Sequence, residues 1–240
     1  MNKPINCTSF LRRYTSIPAL FHILYNRTIT LLSPEKWEDR NDVFSINHFK
    51  ECNKLKFVLA VCFSETSETF HHWKVFAHGS EGVCIVFKRI ELLSAFMNYN
   101  DQIRMGSVEH VQIKKLKNTS LQVDKLPFTK KFPYKDEKEF RIIYLGRDND
   151  CQMEAKDFSI DLSCIESITL NPWITRPQYE AIKKAINSID GCKSIKVQQT
   201  TVLKNKDWEN AVRQAISVEI CNSDDVGNEN VVPMQEAAVI

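Results

Sequence analysis

Runs of apolar residues alternate with polar turns along most of the chain, and their period separates strands from helices. The segments Thr28–Leu32, 56–63 and 81–87 are β-branched or almost wholly apolar, which predicts strands, the last two covered on both faces. Segments 17–25 and 176–189 instead place apolar residues three and four positions apart, which predicts amphipathic helices. Both kinds of element therefore share one chain.

The remaining pattern extends this mixture to the rest of the chain. Further strands are predicted over 106–114, 139–145, 165–170 and 194–202, and further helices over 69–77, 90–97 and 206–218. With no long polar linker between halves, the pattern predicts a single α+β domain over 1–221, with mixed or antiparallel sheets and flanking helices. Segments 35–42 and 114–135 are predicted to be exposed loops.

The last residues have a different composition from the rest of the chain. Residues 222–240 contain four acidic residues, no Lys or Arg, few large apolar groups and no periodicity. Such a segment cannot bury enough apolar surface to offset the entropy of ordering. We therefore expect 222–240 to be a disordered acidic tail.

Composition narrows the class of protein. The chain has 240 residues and a net charge of +2, which implies no strong global attraction to nucleic acid. No apolar run approaches the length of a membrane span, and the first residues lack the hydrophobic region of a signal peptide. We therefore expect a cytoplasmic protein that does not engage membranes.

Cysteine and glycine usage bears on cofactors. None of the eight cysteines is separated from another by two residues, so the spacing predicts reduced thiols and no metal site. Six glycines are too few, and wrongly spaced, to write a Walker A loop or a dinucleotide fingerprint. A nucleotide would have to be held in another way.

The most informative stretch is the charged segment that leads into the strand at 139–145. Glu137 and Glu139 are two positions apart, and Arg141 continues the row. Alternate residues of a strand share a face, so both carboxylates are expected to project together. Like charges on one face repel unless a cation or substrate lies between them, which makes the pair a candidate active site.

Several short motifs, in their order along the chain, resemble a widespread bacterial family of unknown function. Its members carry a tyrosine in a basic strand, an Asn-Asp pair, a Phe-Ser strand end, a Trp followed by Gly-Val-Cys, and a Glu-x-Glu-x-Arg motif. The matching positions are Arg12-Arg13-Tyr14, Asn41-Asp42, Phe63-Ser64, Trp73 with Gly82-Val83-Cys84, and Glu137, Glu139 and Arg141. This resemblance implies almost nothing about activity, because the family itself is poorly characterised.

A second resemblance, to ADP-ribosyltransferases of the Arg–Ser–Glu type, is more informative. Those enzymes have an Arg on the first strand, a Ser-Thr-Ser-like strand end, and a Glu-x-Glu before an apolar strand. This chain offers Arg12 or Arg13, then Ser64-Glu65-Thr66-Ser67, then Glu137-Lys138-Glu139. The resemblance implies an ADP-ribosyltransferase-like fold that needs no glycine-rich loop, with NAD as substrate and no metal.

The same resemblance implies roles for individual residues. Glu139 would stabilise the oxocarbenium-like state formed when the nicotinamide–ribose bond breaks, and Glu137 would orient or deprotonate the acceptor. An Arg of the first strand would pair with the pyrophosphate, although strand register decides which one faces the site. The implied cofactor-binding residues are Arg12, Arg13, Tyr14, Ser64, Trp73 and Arg141.

The connector before Glu137 suggests a macromolecular acceptor. Segment 114–135 has seven Lys and one Asp, together with aromatic residues. Lysines beside aromatic rings suit phosphate contacts and base stacking, so Lys130, Lys131 and Tyr134 are candidate nucleic-acid-binding residues. The corresponding function is a bacterial toxin or anti-phage effector that modifies RNA or DNA, with an antitoxin protein as a possible partner.

Two other classes of function fit the same residues. The chain could be a non-catalytic binding or regulatory protein of a defence operon, such as an antitoxin or adaptor, with the carboxylates in surface salt bridges. Alternatively, Asp42, Glu137 and Glu139 could hold Mg²⁺ in a nuclease, since hard cations prefer oxygen ligands. Arg141 would be a poor proton shuttle there, which makes this the weakest of the three.

Overall fold

The computed structural model describes residues 9–77, 79–99, 101–147 and 150–223. Within it, one compact unit ends at Thr200 and a second begins at Thr201. The second contains the last helix, which runs to Ser223. The predicted limits of the domain, 1–221, stay a prediction, and the expected tail lies outside the described residues except for Asn222 and Ser223.

Eleven strands and seven α-helices are present in these residues. The strands are β1 (Phe10–Ser16), β2 (Thr28–Leu32), β3 (Phe57–Ser64), β4 (Gly82–Lys88), β5 (Ile103–Ser107), β6 (Glu109–Val111), β7 (Thr129–Lys131), β8 (Glu139–Gly146), β9 (Ala155–Ser159), β10 (Ile165–Leu170) and β11 (Lys196–Gln199). The helices are α1 (Ile17–Asn26), α2 (Arg40–Cys52), α3 (Phe70–Phe76), α4 (Arg89–Ser94), α5 (Ile113–Lys117), α6 (Arg176–Ser188) and α7 (Lys206–Ser223).

A mixed sheet organises the first unit. Its strands follow the order β11-β10-β4-β1-β3-β2-β9, and β8 joins β3 to β5. All pairings in it are antiparallel except that of β10 with β11. The prediction of an α+β fold with mixed or antiparallel sheets and flanking helices is therefore confirmed.

The sheet forks at β3. Strand β8 pairs with β3 at every position from Phe57 to Ser64 and so fills one edge. The other edge meets β1 only at Ser64, opposite Arg12, and β2 only at Ala60. Strands β1 and β2 thus each meet β3 at a single pair of residues. The space between β1 and β2 along this edge of β3 is left for side chains.

Strand β3 is buried on both faces, and its alternating side chains divide the core into two layers. Leu59, Val61 and Phe63 belong to the main cluster, which includes the buried residues of α1. Val58 and Ala60 face the opposite way, toward the buried residues of α2. Arg12 is the register partner of Ser64, so it shares the α2 face, whereas the neighbouring Leu11 and Arg13 face the other way.

The predicted loop over 35–42 is wrong, since α2 begins at Arg40. Asp39 caps the helix by accepting from the backbone N–H of Asn41, and Val43, Ile46 and Phe49 are buried on one face. The helix was missed because its first turn is polar and charged, which hides the apolar period behind it.

The predicted connector over 114–135 is also more ordered than expected. It holds α5, a 3₁₀ turn over Val123–Phe128 and strand β7, which pairs with β6 in a separate two-stranded sheet. A second 3₁₀ turn, Phe132–Glu137, then leads into β8. Side-chain contacts hold this segment against the rest of the fold, among them those of Lys130 with Glu137 and of Arg141 with the carbonyl of Pro127. Local sequence propensity does not reveal such contacts.

In the part of the chain that the structure describes, no helix combines the length and apolar character that a bilayer crossing requires.

Candidate functional site

A cavity of about 500 Å³ lies on the α2 face of the sheet, where β1 meets the end of β3. Its walls come from β1, β3, α2, α3 and the segment around β7, and from the start of β8. The volume falls within the range typical of small-molecule sites. Most of the charged groups proposed from the sequence line this space, with Lys131 and Arg141 as the exceptions.

Glu137 and Glu139 both reach the cavity, although only Glu139 belongs to a strand. Glu137 is the last residue of the 3₁₀ turn, and Lys138 between them adopts a left-handed conformation with φ of 46°. Both carboxylates contact the same ammonium group, that of Lys130. Their convergence therefore depends on a local turn as well as on strand alternation.

Arg141 lies beneath these carboxylates and is fully buried. Its Nη1 and Nη2 donate to the two oxygens of Asp42 at 3.1 and 2.8 Å, and its Nε donates to Glu139 Oε1 at 2.8 Å. Nη1 also donates to the carbonyl of Pro127 at 2.6 Å, and the indole of Trp37 covers the guanidinium at 4.8 Å. Arg141, expected to bind the cofactor, instead has every nitrogen engaged within the protein.

Lys130 is the second cation of the cluster and contacts all three carboxylates. Its Nζ lies 2.6 Å from Glu137 Oε2, 3.3 Å from Glu139 Oε2 and 3.9 Å from Asp42 Oδ2, and it sits 4.7 Å from the centre of the Tyr134 ring. Its side chain is only 10% exposed. The expectation that Lys130 belongs to an exposed connector is therefore corrected: its side chain is a largely buried counter-ion of the carboxylates.

This arrangement sets the two glutamates apart electrostatically. Burial alone would raise the pKa of Glu139, but Arg141 and Lys130 lower it to about 2. Burial raises the pKa of Glu137, and Lys130, its one close cation among the described residues, offsets this only in part. Glu139 is thus a permanent anion, while Glu137 can exchange a proton more readily.

Ser64 is held inside the protein beside these residues. Its hydroxyl donates to the main-chain carbonyl of Glu137 at 2.8 Å and lies 3.1 Å from His72 Nε2. His72 is buried on α3 and is itself 3.2 Å from the same carbonyl. Ser64 lines the cavity, but its hydroxyl is already committed to the backbone.

The two arginines of β1 lie on opposite faces at the fork. Arg12 and Tyr14 share the face of Ser64, so both project toward the cavity. Arg13 reaches the cavity from the other face, where its Nη1 donates to the carbonyl of Cys62 at 3.3 Å. Neither arginine forms an ion pair within the described ranges, and the Nε of Arg13 has no hydrogen-bond partner there. Both are available to an anion.

Other expected site residues lie at different depths. Trp73 is fully buried behind Tyr14, and their rings meet edge to face with centres 5.3 Å apart. Tyr134 lines the cavity. Lys131, three residues earlier, ends strand β7 and forms no ion pair in the described structure. Trp73 thus supports a wall of the site, while Tyr134 belongs to the wall itself.

Sequence reasoning placed too little weight on two residues of this site. Asp42 entered as part of the Asn41-Asp42 motif and as a possible Mg²⁺ ligand, and His72 was assigned no role. The Asn41-Asp42 motif of the first resemblance was the available signal for Asp42, because it recurs in order with Glu-x-Glu-x-Arg. His72 carried no comparable signal, since its partners are distant in sequence.

The three carboxylates named in the nuclease hypothesis do meet, but with two cations among them. Lys130 and Arg141 occupy the positions between Asp42, Glu137 and Glu139. Within residues 9–77, 79–99, 101–147 and 150–223, no group of side chains is arranged to hold a metal ion.

No protein-family model matches this chain, and no curated protein sequence matches it. Among solved structures, it is similar to Thermus sp. 2.9 DarT in complex with NAD+, at 12% identity and a TM-score of 0.40, over 86% of this chain and 99% of that one. It is also similar to the same protein in complex with ADP-ribosylated ssDNA, at 12% identity and a TM-score of 0.43, over 87% and 99% of the two chains.

Asp42→Ala should destabilise the protein strongly, because it leaves the buried Arg141 guanidinium without its bidentate partner. Removing one member of a buried ion pair typically costs about 3–5 kcal/mol in the free energy of unfolding. Urea denaturation measures this cost. The control is Glu51→Ala on the same helix, whose side chain is 72% exposed; equal losses in the two variants would contradict the role assigned to Asp42.

Proposed function

We propose that the protein is an NAD-consuming ADP-ribosyltransferase that modifies a macromolecule. The observation that carries this proposal is the pair of glutamates at the cavity, one held as an anion and the other with a raised pKa. Cleavage of the nicotinamide–ribose bond creates positive charge on the ribose, and transfer then requires an activated acceptor. One permanent carboxylate and one titratable carboxylate meet these two needs.

Glu139 takes the electrostatic role. Its Oε1 is held by Arg141 at 2.8 Å, and its Oε2 lies toward Lys130 at 3.3 Å. A carboxylate fixed in this way needs little reorganisation when the ribose at C1′ becomes oxocarbenium-like and nicotinamide leaves. Its low pKa keeps it charged at any physiological pH.

Glu137 takes the role of base toward the acceptor. Burial raises its pKa, which makes it a better proton acceptor than an ordinary glutamate at neutral pH. Lys130 keeps its carboxylate oriented at 2.6 Å. The acceptor nucleophile would give its proton to Glu137 while its lone pair forms the new bond to C1′.

The cofactor would lie along β1 and the end of β3. Arg12, with no ion pair of its own in the described residues, projects into the cavity and suits the pyrophosphate, and Arg13 at the fork offers a second guanidinium. Tyr14 supplies an aromatic wall beside them. Arg141, Trp73 and the Ser64 hydroxyl then serve the substrate indirectly, by holding the carboxylates and walls in place.

We propose a nucleic acid as the acceptor. The turn between β7 and Glu137 presents Phe132, which is 39% exposed, with the ammonium of Lys135 at 4.8 Å from its ring centre. Lys131 lies just before this turn, and Tyr134 within it lines the cavity. Exposed rings beside lysines suit base stacking and phosphate contacts next to the reacting carboxylates.

This chemistry would harm the cell that contains it. Consumption of NAD and covalent modification of nucleic acid both interrupt growth, so we place the protein as a toxin or anti-phage effector held in check by an antitoxin. The contrasting candidate is a regulatory protein in which the same carboxylates are only structural, and the first experiment separates the two.

Glu139→Gln should lower nicotinamide release from NAD by at least about 10²-fold, because the amide cannot stabilise the cationic ribose. Nicotinamide release by the purified chain is followed over time, with and without single-stranded RNA or DNA. Glu109→Gln, at an exposed position of β6, is the control.

The assay distinguishes an NAD-consuming enzyme from a regulatory protein. Release by the wild type that Glu139→Gln abolishes and Glu109→Gln retains establishes NAD cleavage at this site. A wild-type protein that is folded but releases no nicotinamide under any condition contradicts the proposal and favours the regulatory reading.

Lys130→Met should move the acidic limb of the pH–rate profile to higher pH. The ammonium of Lys130 lowers the pKa of Glu137, so its removal lets that pKa rise further. A base must be ionised to act, and Glu137 would then be ionised only at higher pH. The rate measured is release of nicotinamide to water, and Lys131→Met, one residue away, is the control because its proposed contacts are with the nucleic acid; a Lys130→Met profile that coincides with that of the wild type contradicts the assigned role of Lys130.

Lys131→Glu/Lys135→Glu should weaken transfer to a single-stranded oligonucleotide without reducing release of nicotinamide to water. Each lost phosphate contact should lower the slope of log affinity against log salt by about 1. Fluorescence anisotropy of a labelled oligonucleotide measures this, with Lys184→Glu/Lys196→Glu as a control of equal charge. Equal weakening by both double variants would mean that net charge alone governs binding.

A further inference from the structure

A chain of hydrogen bonds ends on the main-chain carbonyl of Glu137. The Ser64 hydroxyl donates to this oxygen at 2.8 Å, and His72 Nε2 lies 3.2 Å from it and 3.1 Å from Ser64 Oγ. On its other side, His72 Nδ1 contacts the hydroxyl of Thr69. Thr69 is also the N-cap of α3, since its hydroxyl oxygen accepts from the backbone N–H of His72 at 3.2 Å.

The direction of these bonds fixes one form of the imidazole. A carbonyl oxygen only accepts, and Ser64 already uses its proton on Glu137, so His72 Nε2 must carry the hydrogen. In the neutral imidazole Nδ1 is then the acceptor, and Thr69 donates to it. The network is fully satisfied by the neutral imidazole with hydrogen on Nε2.

The surroundings favour that neutral form. Burial lowers the pKa of His72, and the nearby His71 lowers it further, against the opposing influence of the Glu137 carbonyl and Asp136. The ring also stacks on Tyr14, with centres 5.2 Å apart. Position, tautomer and plane of the imidazole are therefore all constrained.

Glu137 needs such a support because no strand holds it. It ends a 3₁₀ turn, and the next residue, Lys138, has φ of 46°, a conformation that non-glycine residues seldom adopt. On the β3 side, the backbone N–H of Glu65 donates to the carbonyl of Lys138 at 2.7 Å. The carbonyl of Glu137 itself is held by side chains, those of Ser64 and His72.

We infer that His72 is a positioning residue that fixes the main chain of Glu137 and thereby aims its carboxylate at Lys130 and the cavity. This inference rests on the proposed function for its catalytic consequence, but its structural part stands on the hydrogen bonds. Small displacements of a reacting group reduce rates steeply, by about 10² for 1 Å. His72 itself touches no reacting atom.

The inference also connects the cofactor wall to the acceptor base. Tyr14 lines the cavity and stacks on His72, and Val75 and Phe76 of the same helix α3 line the cavity as well. A ligand seated against these residues therefore packs on the element that holds Glu137.

The test compares substitutions at adjacent histidines. His72→Leu removes both ring nitrogens, His72→Gln restores a donor near Nε2, and His71→Leu is the control at an exposed position. We expect His72→Leu to lower kcat for transfer by at least about 10-fold with little change in KM for NAD, while His72→Gln recovers most of the loss and His71→Leu has no effect.

A second readout does not require activity. The carboxyl carbon of Glu137, assigned by comparison with Glu137→Gln in ¹³C-glutamate-labelled protein, is titrated by NMR. Displacement changes both the burial that raises its pKa and the Lys130 contact that lowers it, so the midpoint should move away from the wild-type value in His72→Leu and stay at that value in His71→Leu. Thr69→Val should shift it in the same direction, because the imidazole loses the donor to Nδ1.

The outcomes separate the two proposals. If the wild type releases no nicotinamide, the proposed function fails, and the titration still decides the role of His72. If His72→Leu, or Thr69→Val where His72→Leu does not fold, has the wild-type midpoint for Glu137, the inference is overturned. Loss of kcat in His71→Leu equal to that in His72→Leu overturns it too.

Discussion

The buried guanidinium of Arg141 is the constraint on which the rest of the site depends. It joins Glu139 of its own strand and the carbonyl of Pro127 to Asp42 of α2, which lies 99 positions away in the sequence. A buried charge is tolerated only when its hydrogen bonds are satisfied, so these partners cannot be exchanged freely. Arg141 thereby fixes the floor of the cavity before any ligand enters.

The uneven charge of the two glutamates follows from that floor. Arg141 reaches Glu139 but leaves Glu137 to Lys130, so one carboxylate has two cations and the other has one. Burial acts on both, yet only Glu139 receives enough compensation to hold its pKa at about 2. Two side chains two positions apart thus acquire different proton affinities, which is the condition for different chemical roles.

The period of apolar residues predicted the elements of the fold better than it predicted the contacts of the site. Buried strands such as β3 and β4 and the amphipathic helix α6 are local patterns, and they were predicted with bounds close to those observed. Helix α2 was missed because its first turn is polar, and β9 because Phe158 is the one large apolar residue among its five. Lys130 could not be distinguished from six other lysines of 114–135, since only its contact with Glu137 sets it apart.

Strand register places Arg12 and Arg13 on opposite faces of β1, although both line the cavity. One pairing, Arg12 with Ser64, closes the sheet at the fork and puts Arg12 on the face of the carboxylates. Ser64 is also paired with Glu139 across β3 and β8. The same short strand end therefore sets the distance between a free guanidinium and a fixed carboxylate. In the proposed function, the pyrophosphate of NAD would face the guanidinium of Arg12 and the ribose carbon that becomes cationic would face Glu139, so that each group meets the opposite charge.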